Sequence, residues 1–581
     1  MNLFTKLWLL GHVIKWRLTW NRRNTHYRYT VPGNPKFMGP RDAVRLIPDG
    51  STVMLSGLGG NARPSVLYWA MRELHAETGR PRGLTVMSVG GIGGRGKAPG
   101  TPEELAQEGL CTRFFSGHLE TFKSILRLAD AGKLELQCIP QGIMTFLLEG
   151  QGRGEESIAL PTGVGTFFDP RKGRGTPVVD GKAPQFVAVE GDRLRFTMPR
   201  VNVALFNLPA ADTEGNLYAT NAAVLAECRD ATLAARKNGG LVIANVGLVV
   251  EKQPDRIFIP ADQVDAVVVY PRTEQTASVL HRRPWPLFTL DSGVPLDEGA
   301  AKLKFMNQVL GLTPRRGPVD DAVARLAASV FAANGRPGMY VNVGVGLPEE
   351  VCRLIHQGGL TREITLFTES GVEGGLPAPG IFFGAAVSPE RMVSSAQVFH
   401  NCYRQLDGAI LGILEADRDG NVNVSKRGEG AINYVGPGGF VDLTCTARMV
   451  VFVGAWMAHA RMAIRGGKLS IEKPGPYKFI DRVSEVTFSG PEAVKVGKKV
   501  FYCTNVGAFR LTWRGMELMC VMPGVDVRRD ILEACPMKVV LPESGEVPVV
   551  DDSIVTGRGF ELRFGQPGEA PSPHAARRTA A

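Results

Sequence analysis

This 581-residue chain has no CxxC pair. Its nine cysteines (Cys111, Cys138, Cys228, Cys352, Cys402, Cys445, Cys503, Cys520 and Cys535) are scattered and odd in number. That argues against a disulfide framework and a cysteine-based zinc site, and for reduced thiols in a cytosol-like compartment. Long apolar runs are missing too. The stretch Leu7–Ile14 is closed off by Lys15 and Arg17, far short of the roughly 20 apolar residues a spanning helix needs. No small-residue cleavage site follows, which argues against a secretory signal. The first 41 residues contain no Asp or Glu at all but carry Lys6, Lys15, Arg17, Arg22, Arg23, Arg28, Lys36 and Arg41.

Those eight cations account for most of the formal net charge of +10. The rest of the chain is close to balanced, so no surface-wide nucleic-acid footprint is expected. Within the arm, Leu3, Leu7, Leu10, Ile14 and Leu18 fall on one side of a helix and Leu9, Trp16 and Trp20 on the other. An interfacial anchor, a docking helix, an import presequence and a helix covering its own protein's apolar patch all fit that pattern. Hydrophobic content of 44% describes a globular chain able to bury a full core, and its length asks for two large domains or three. The 69 glycines make tight turns and close backbone approaches a theme. Gln566–Ala581, rich in Pro and Ala, reads as a disordered tail.

One carboxylate stands out. Ile364–Thr368 is an apolar, β-favouring run that stops at Glu369 and turns into Ser370-Gly371-Val-Glu-Gly374-Gly375. A glutamate at the end of a buried strand is held on rigid backbone, and glycines beside it admit another molecule's reacting group. The chain also resembles itself. Val53–Gly60 is echoed by Met339–Pro348, Leu84–Gly94 by Ile364–Gly374, and Ala204–Asn216 by Ala409–Asn421, in the same order. Two homologous α/β domains with open, largely parallel sheets explain this most simply. The expected boundaries are a basic arm over 1–37, domains over 38–312 and 318–565, and the tail over 566–581. The repeat is imperfect where it matters. Val89 stands where the second half has Glu369, and an insertion separates Val89 from Asp212 but not Glu369 from Asp417. One half supplies a carboxylate, and the other is free to build the opposing wall of a cleft.

Thr368-Glu369-Ser370-Gly371 with Gly374-Gly375-Leu-Pro377, then Asp417…Gly420-Asn-Val-Asn-Val-Ser425, then Gly436-Pro-Gly438-Gly439-Phe440 resemble the family I coenzyme A transferases, in particular their fused acetate/propionate/3-oxoacid branch. Pro140-Gln141-Gly142 and Gly163–Pro170 agree, and the resemblance runs from about residue 38 to 550. It implies transfer of CoA between an acyl-CoA and a free carboxylic acid by a ping-pong route. Glu369 would be the nucleophile, passing through a glutamyl anhydride and a glutamyl-CoA thioester. It further implies Gln141 and the N–H of Gly438 as oxyanion donors, and Gly344, Gly346, Gly436 and Gly439 along CoA. Gly57, Gly59 and Gly60 would surround the acid's carboxylate, and the assembly would be a homodimer or homotetramer. No metal and no cofactor other than the CoA substrate is called for. An acyl-CoA hydrolase using the same glutamate is the alternative, and a silent CoA- or sugar-phosphate-binding protein is the third reading.

Several further expectations follow. Lys426 and Arg427 are candidates for the CoA phosphates. Gly91-Ile-Gly93-Gly-Arg-Gly96 matches the dinucleotide fingerprint in letters only, since Lys97-Ala-Pro-Gly-Thr-Pro102 cannot open a helix. It is read as a loop. Cys111 and His118 lack a third partner for a nucleophilic pair. Phe399–Asp407 departs from the family pattern and bears on substrate choice. Glu373 is expected to point to solvent. The location is read as cytoplasmic, with peripheral membrane or partner contact through the arm left open.

Overall fold

The structure, a computed structural model, describes residues 1–93 and 98–565. Seven strands build the first sheet: β1 (Thr52–Leu55), β2 (Leu84–Ser88), β3 (Cys111–Ser116), β4 (Glu135–Cys138), β5 (Val203–Ala211), β6 (Leu241–Val249) and β7 (Ala266–Val269). They run parallel in the order 7-6-5-1-2-3-4, with Leu217–Tyr218 added antiparallel on β5. Every residue of β5 is buried, as a parallel strand covered on both faces requires.

The second sheet contains β8 (Tyr340–Val343), β9 (Thr365–Thr368), β10 (Val372–Glu373), β11 (Arg391–Met392), β12 (Leu406–Gly412), β13 (Met449–Val453), β14 (Lys499–Cys503), β15 (Gly507–Thr512) and β16 (Gly515–Val521). Its order is 11-10-9-8-12-13-14-15-16, with a parallel centre and antiparallel edges. The internal repeat is thus realised as topology. The five-strand order 7-6-5-1-2 of the first sheet returns as 14-13-12-8-9 in the second. The two sheets differ beyond β2 and β9: the first continues with β3 and β4, the second turns back through β10 and β11.

Helices used below are α1 (Leu3–Thr19), α2 (Gln141–Arg153), α3 (Leu296–Val309), α4 (Leu347–Gln357), α5 (Ser395–Gln405) and α6 (Phe440–Thr446). Each sheet anchors its own hydrophobic core, but the second core also takes in Leu9 and Val13 of α1, Phe146 of α2, and Leu303 and Met306 of α3. The halves are therefore joined by continuous apolar packing. α1 lies on its own protein through one face. Leu9 and Val13 are buried, His12 Nε2 meets Ser278 Oγ at 3.1 Å, and Trp16 Nε1 donates to Glu274 Oε1 at 3.1 Å. The side predicted to hold Leu3, Leu7, Leu10, Ile14 and Leu18 is exposed. No helix among the described residues is long and apolar enough to cross a membrane. The tail 566–581 and residues 94–97, which include the end of the glycine motif at Gly91–Gly96, lie outside the described residues.

The seam between the halves is backbone against backbone. Gly59 sits at φ +59°, and a Cβ there would fall 2.1 Å from the carbonyl oxygen of Phe383. Asn61 Nδ2 donates to that same oxygen at 2.8 Å. Gly59→Ala is expected to lower unfolding free energy by about 3 kcal/mol or more, while Gly132→Ala, at φ +67° in open space, costs only the roughly 1–2 kcal/mol of left-handed backbone strain. Denaturant titration of the two variants checks the difference.

Candidate active site

β9 ends at Thr368, and Glu369 is the next residue. The chain then reverses through Gly371 at φ +96°, whose N–H returns to the Thr368 carbonyl at 3.0 Å. A Cβ at Gly371 would meet the Val393 carbonyl oxygen at 2.0 Å, so this turn admits only glycine. Thr368 Oγ1 and Ser370 Oγ both donate to the Gly384 carbonyl, the former at 2.8 Å, fixing the strand end on either side of the glutamate.

The Glu369 carboxylate faces the loop that precedes α6. A Cβ on Gly439 would lie 2.6 Å from Glu369 Oε2 and 3.1 Å from the ring of Phe399. Only a glycine lets the carboxylate lie flat against this backbone, and the Gly439 N–H hydrogen-bonds to it. Burial pushes the Glu369 carboxyl up to about 7, and the Gly439 N–H pulls the other way without cancelling it. Val89, its counterpart at the end of β2, is fully buried; its carbonyl accepts from the Gly117 N–H at 3.2 Å.

The first half reaches this site through the start of α2. Gln141 is 2% exposed and its Nε2 has no hydrogen-bond partner. The backbone N–H of Gln141 donates to the Gly438 carbonyl at 3.1 Å. Gln141 and Glu369 thus flank the Gly438–Gly439 backbone. The N–H of Gly438 itself is given to the Gly117 carbonyl at 2.8 Å, so in this conformation the amide that meets the carboxylate is Gly439. Gly436, at φ +74°, is pressed against Gly117 and Leu119.

Two carboxylates nearby change the picture drawn from sequence. Asp442, on the first turn of α6, is fully buried. Its Oδ2 accepts from the Gly142 N–H at 2.9 Å, and its Oδ1 has no partner. Burial first, and the charge of Glu369 in addition, push its carboxyl up to about 8. Sequence reasoning missed it, because an acid early in a helix reads as complementing that helix's own dipole, whereas this one serves the N-terminus of α2, some 300 residues away. Glu373 is the second. The expectation that it faces solvent is corrected: it is 6% exposed and accepts from Tyr340 Oη at 2.7 Å and Asn401 Nδ2 at 2.6 Å, with Arg391 at 3.4 Å. The short strand β10 folds antiparallel onto β9 and carries Glu373 inward.

A cavity of about 290 Å³ opens beside Glu369. Gly344, Thr368, Lys304 of α3, Arg316 of the interdomain segment and Arg353 of α4 line it, together with the acids Asp297, Glu349 and Glu350. Lys304 and Arg316 have no ion-pair partner among the described residues, unlike Arg353, which pairs with Glu350 and Asp321. Gly346, at φ +91°, precedes α4 as its N-cap. Lys426 and Arg427 do not line the cavity; they are paired with Glu429 at 2.8 Å and with Glu120, respectively. Gly57, Gly59 and Gly60 do not line it either. Gly57 N–H donates to buried Glu227 at 3.2 Å, and Gly59 and Gly60 abut Phe383 and Ile381 across the seam. The departing stretch Phe399–Asp407 falls mostly on α5 and packs Phe399 against both Gly439 and Gly142. Cys111 is buried in β3 with its thiol pushed up to about 12 by burial, which removes it as a nucleophile. Among the described residues no group of His, Cys, Asp and Glu is placed to hold a metal.

A carboxylate on a rigid strand end, faced by a glycine backbone amide and by a glutamine side chain whose Nε2 has no partner, sets a potential nucleophile beside hydrogen-bond donors across the seam. Comparison with known proteins establishes the class: the chain belongs to the coenzyme A transferase family. Residues 37–270 match the family model described as coenzyme A transferase. The chain is 32% identical over 512 residues to the caffeate CoA-transferase of Acetobacterium woodii, spanning 86% of this chain and 93% of that protein. It is 30% identical over 548 residues to the acetate CoA-transferase YdiF of Escherichia coli strain K12, spanning 92% and 98%. The crystal structure of the YdiF apoenzyme from Escherichia coli O157:H7 matches with a TM-score of 0.79 at 26% identity, over 93% of this chain and 100% of that one. The thioester complex of that acyl-CoA transferase with CoA matches at 0.78 and 28% identity, over 90% and 97%.

The raised carboxyls predict a pH signature. A folded pKa above the ordinary 4.5 means that Glu369 stabilises the fold when protonated. That contribution is complete below about pH 4.5 and is lost as pH rises through about 7. The melting temperature of the protein should therefore fall between about pH 4.5 and 7, and Glu369→Gln should flatten the fall and return about 2 kcal/mol at pH 8. Thermal melts of both proteins across that range check it.

Proposed function

We propose that this protein transfers CoA from an acyl-CoA to a free carboxylic acid by a ping-pong reaction carried on Glu369. The observation that supports it best is the placement of that carboxylate, half-buried against the Gly439 amide beside a cavity that Lys304 and Arg316 also line. The Glu369 carboxylate attacks the thioester carbonyl, and the tetrahedral oxyanion collapses to expel CoA thiolate and leave a mixed acyl–glutamyl anhydride. The thiolate then attacks the glutamyl carbonyl, which releases the first acid as its carboxylate and leaves a glutamyl-CoA thioester. An acceptor carboxylate attacks that thioester to regenerate an anhydride and thiolate. Attack of the thiolate on the new acyl carbonyl yields the new acyl-CoA and frees Glu369.

Gln141 Nε2 supplies one hydrogen bond to the oxyanions, and the amide of Gly439 supplies the donor at the glutamyl carbonyl itself. The glycines at 344 and 346 leave room for the pantetheine arm, and Lys304 and Arg316, rather than Lys426 and Arg427, take the phosphates. The relatives act on caffeate and on acetate by name, so a carboxylic acid acceptor is the substrate class.

The first test incubates the protein with acetyl-CoA and no acceptor acid, and measures intact mass before and after borohydride. A CoA adduct that borohydride removes and Glu369→Ala abolishes is expected; its formation rate should rise with pH through about 7, because only the carboxylate attacks. Steady CoA release without an adduct would replace this reading with hydrolysis. Gln141→Ala should lower kcat by about 100-fold. Lys304→Ala combined with Arg316→Ala should raise KM for acyl-CoA about tenfold with kcat little changed, in steady-state kinetics.

A further inference from the structure

We infer that α1 is an interfacial helix that lays its outer face on an anionic lipid surface. The helix has two apolar faces, and the protein uses only one. Leu9, Val13 and Trp16 pack inward, and ring contacts of Trp8 and His12 with Trp285, at 5.7 and 5.0 Å, hold the helix down. On the other side Leu3, Phe4, Leu7, Leu10, Ile14 and Leu18 are between 37% and 79% exposed. At 3.6 residues per turn Leu3, Leu7, Leu10, Ile14 and Leu18 share an arc of about 80°, with Phe4 at its edge. Six large apolar side chains in one stripe on a helix already seated on its own protein form a patch of the kind that marks an interaction surface.

Charge decides what covers it. Lys6 and Arg17 flank the stripe on one side and Lys15 on the other, and Arg22 follows the helix. All four are exposed, and none forms an ion pair among the described residues. No acid precedes Asp42. A second copy meeting this face about a two-fold axis would bring the flanking cations of both chains together with no acid from this segment to offset them. A negatively charged lipid surface meets both features at once: the stripe enters the boundary between headgroups and acyl chains, and the flanking cations stay at the phosphates. The helix is too short to span, so the protein would lie on the membrane. This surface is distinct from the cavity beside Glu369, and the inference does not depend on the reaction assigned there.

The test is co-sedimentation of the full-length protein with vesicles of phosphatidylcholine alone and of phosphatidylcholine with phosphatidylglycerol. The bound fraction should rise several-fold with phosphatidylglycerol and fall at about 0.5 M salt, where the Debye length is only a few ångströms. Leu7→Glu with Ile14→Glu should reduce binding at least tenfold, and Lys6→Glu with Arg17→Glu should abolish the preference for the anionic vesicles. Neither pair should change the melting temperature or CoA transfer in solution. Three outcomes would overturn the inference: no sedimentation with either vesicle, binding indifferent to both double variants, or an oligomer that Leu7→Glu with Ile14→Glu dissociates and that shows no vesicle binding.

Discussion

The site turns on drawing one carboxylate partly out of water. Removing a carboxyl from water costs free energy, and the protein meets that cost at Glu369 by letting it stay neutral up to about pH 7 and by facing it with a single backbone amide. The glycine at 439 exists to let that amide approach, and the glycine at 371 lets the strand end abruptly enough to present the side chain. In the proposed reaction a better-solvated glutamate would stabilise the fold more and attack a thioester less readily.

Duplication supplied the frame and asymmetry supplied the chemistry. Both halves use the same five-strand order, so the end of β2 and the end of β9 occupy equivalent places. In one, a buried valine completes a core; in the other, a glutamate faces a cavity. The half without the carboxylate holds the site's other side. Its inserted segment brings Gln141 to the seam, and its backbone pins the glycine loop of the second half, through Gln141 N–H to the Gly438 carbonyl and Gly438 N–H to the Gly117 carbonyl. Asp442 in turn accepts from the Gly142 N–H. Each half closes the other's loop, which is why the pocket needs both.

The strand end at Glu369, the repeat and the parallel sheets were legible because their signals are local: an apolar run broken by an acid and glycines, and buried strands without alternation. The two faces of α1 were legible for the same reason, since helical periodicity sorts Leu7 from Leu9 whatever surrounds them. Asp442, Lys304 and Arg316 were not. Asp442 acts on a helix in the other domain, and Lys304 and Arg316 enter the cavity only because α3 and the interdomain segment pack against the second half. Glu373 misled for a related reason: its neighbours Tyr340 and Asn401 lie on other strands and helices, and no local pattern shows a polar side chain its distant partners.

The sequence alone determined the duplicated α/β architecture, the family and the one residue that distinguishes the halves. It did so because short-range periodicity and an ordered set of glycines and acids are written into neighbouring positions. Tertiary structure alone decided which amide faces the carboxylate, which cations border the cavity and which face of α1 is left bare. Those depend on contacts between segments tens to hundreds of residues apart, where a difference of a few ångströms in packing determines whether a group is paired, buried or free to meet a ligand.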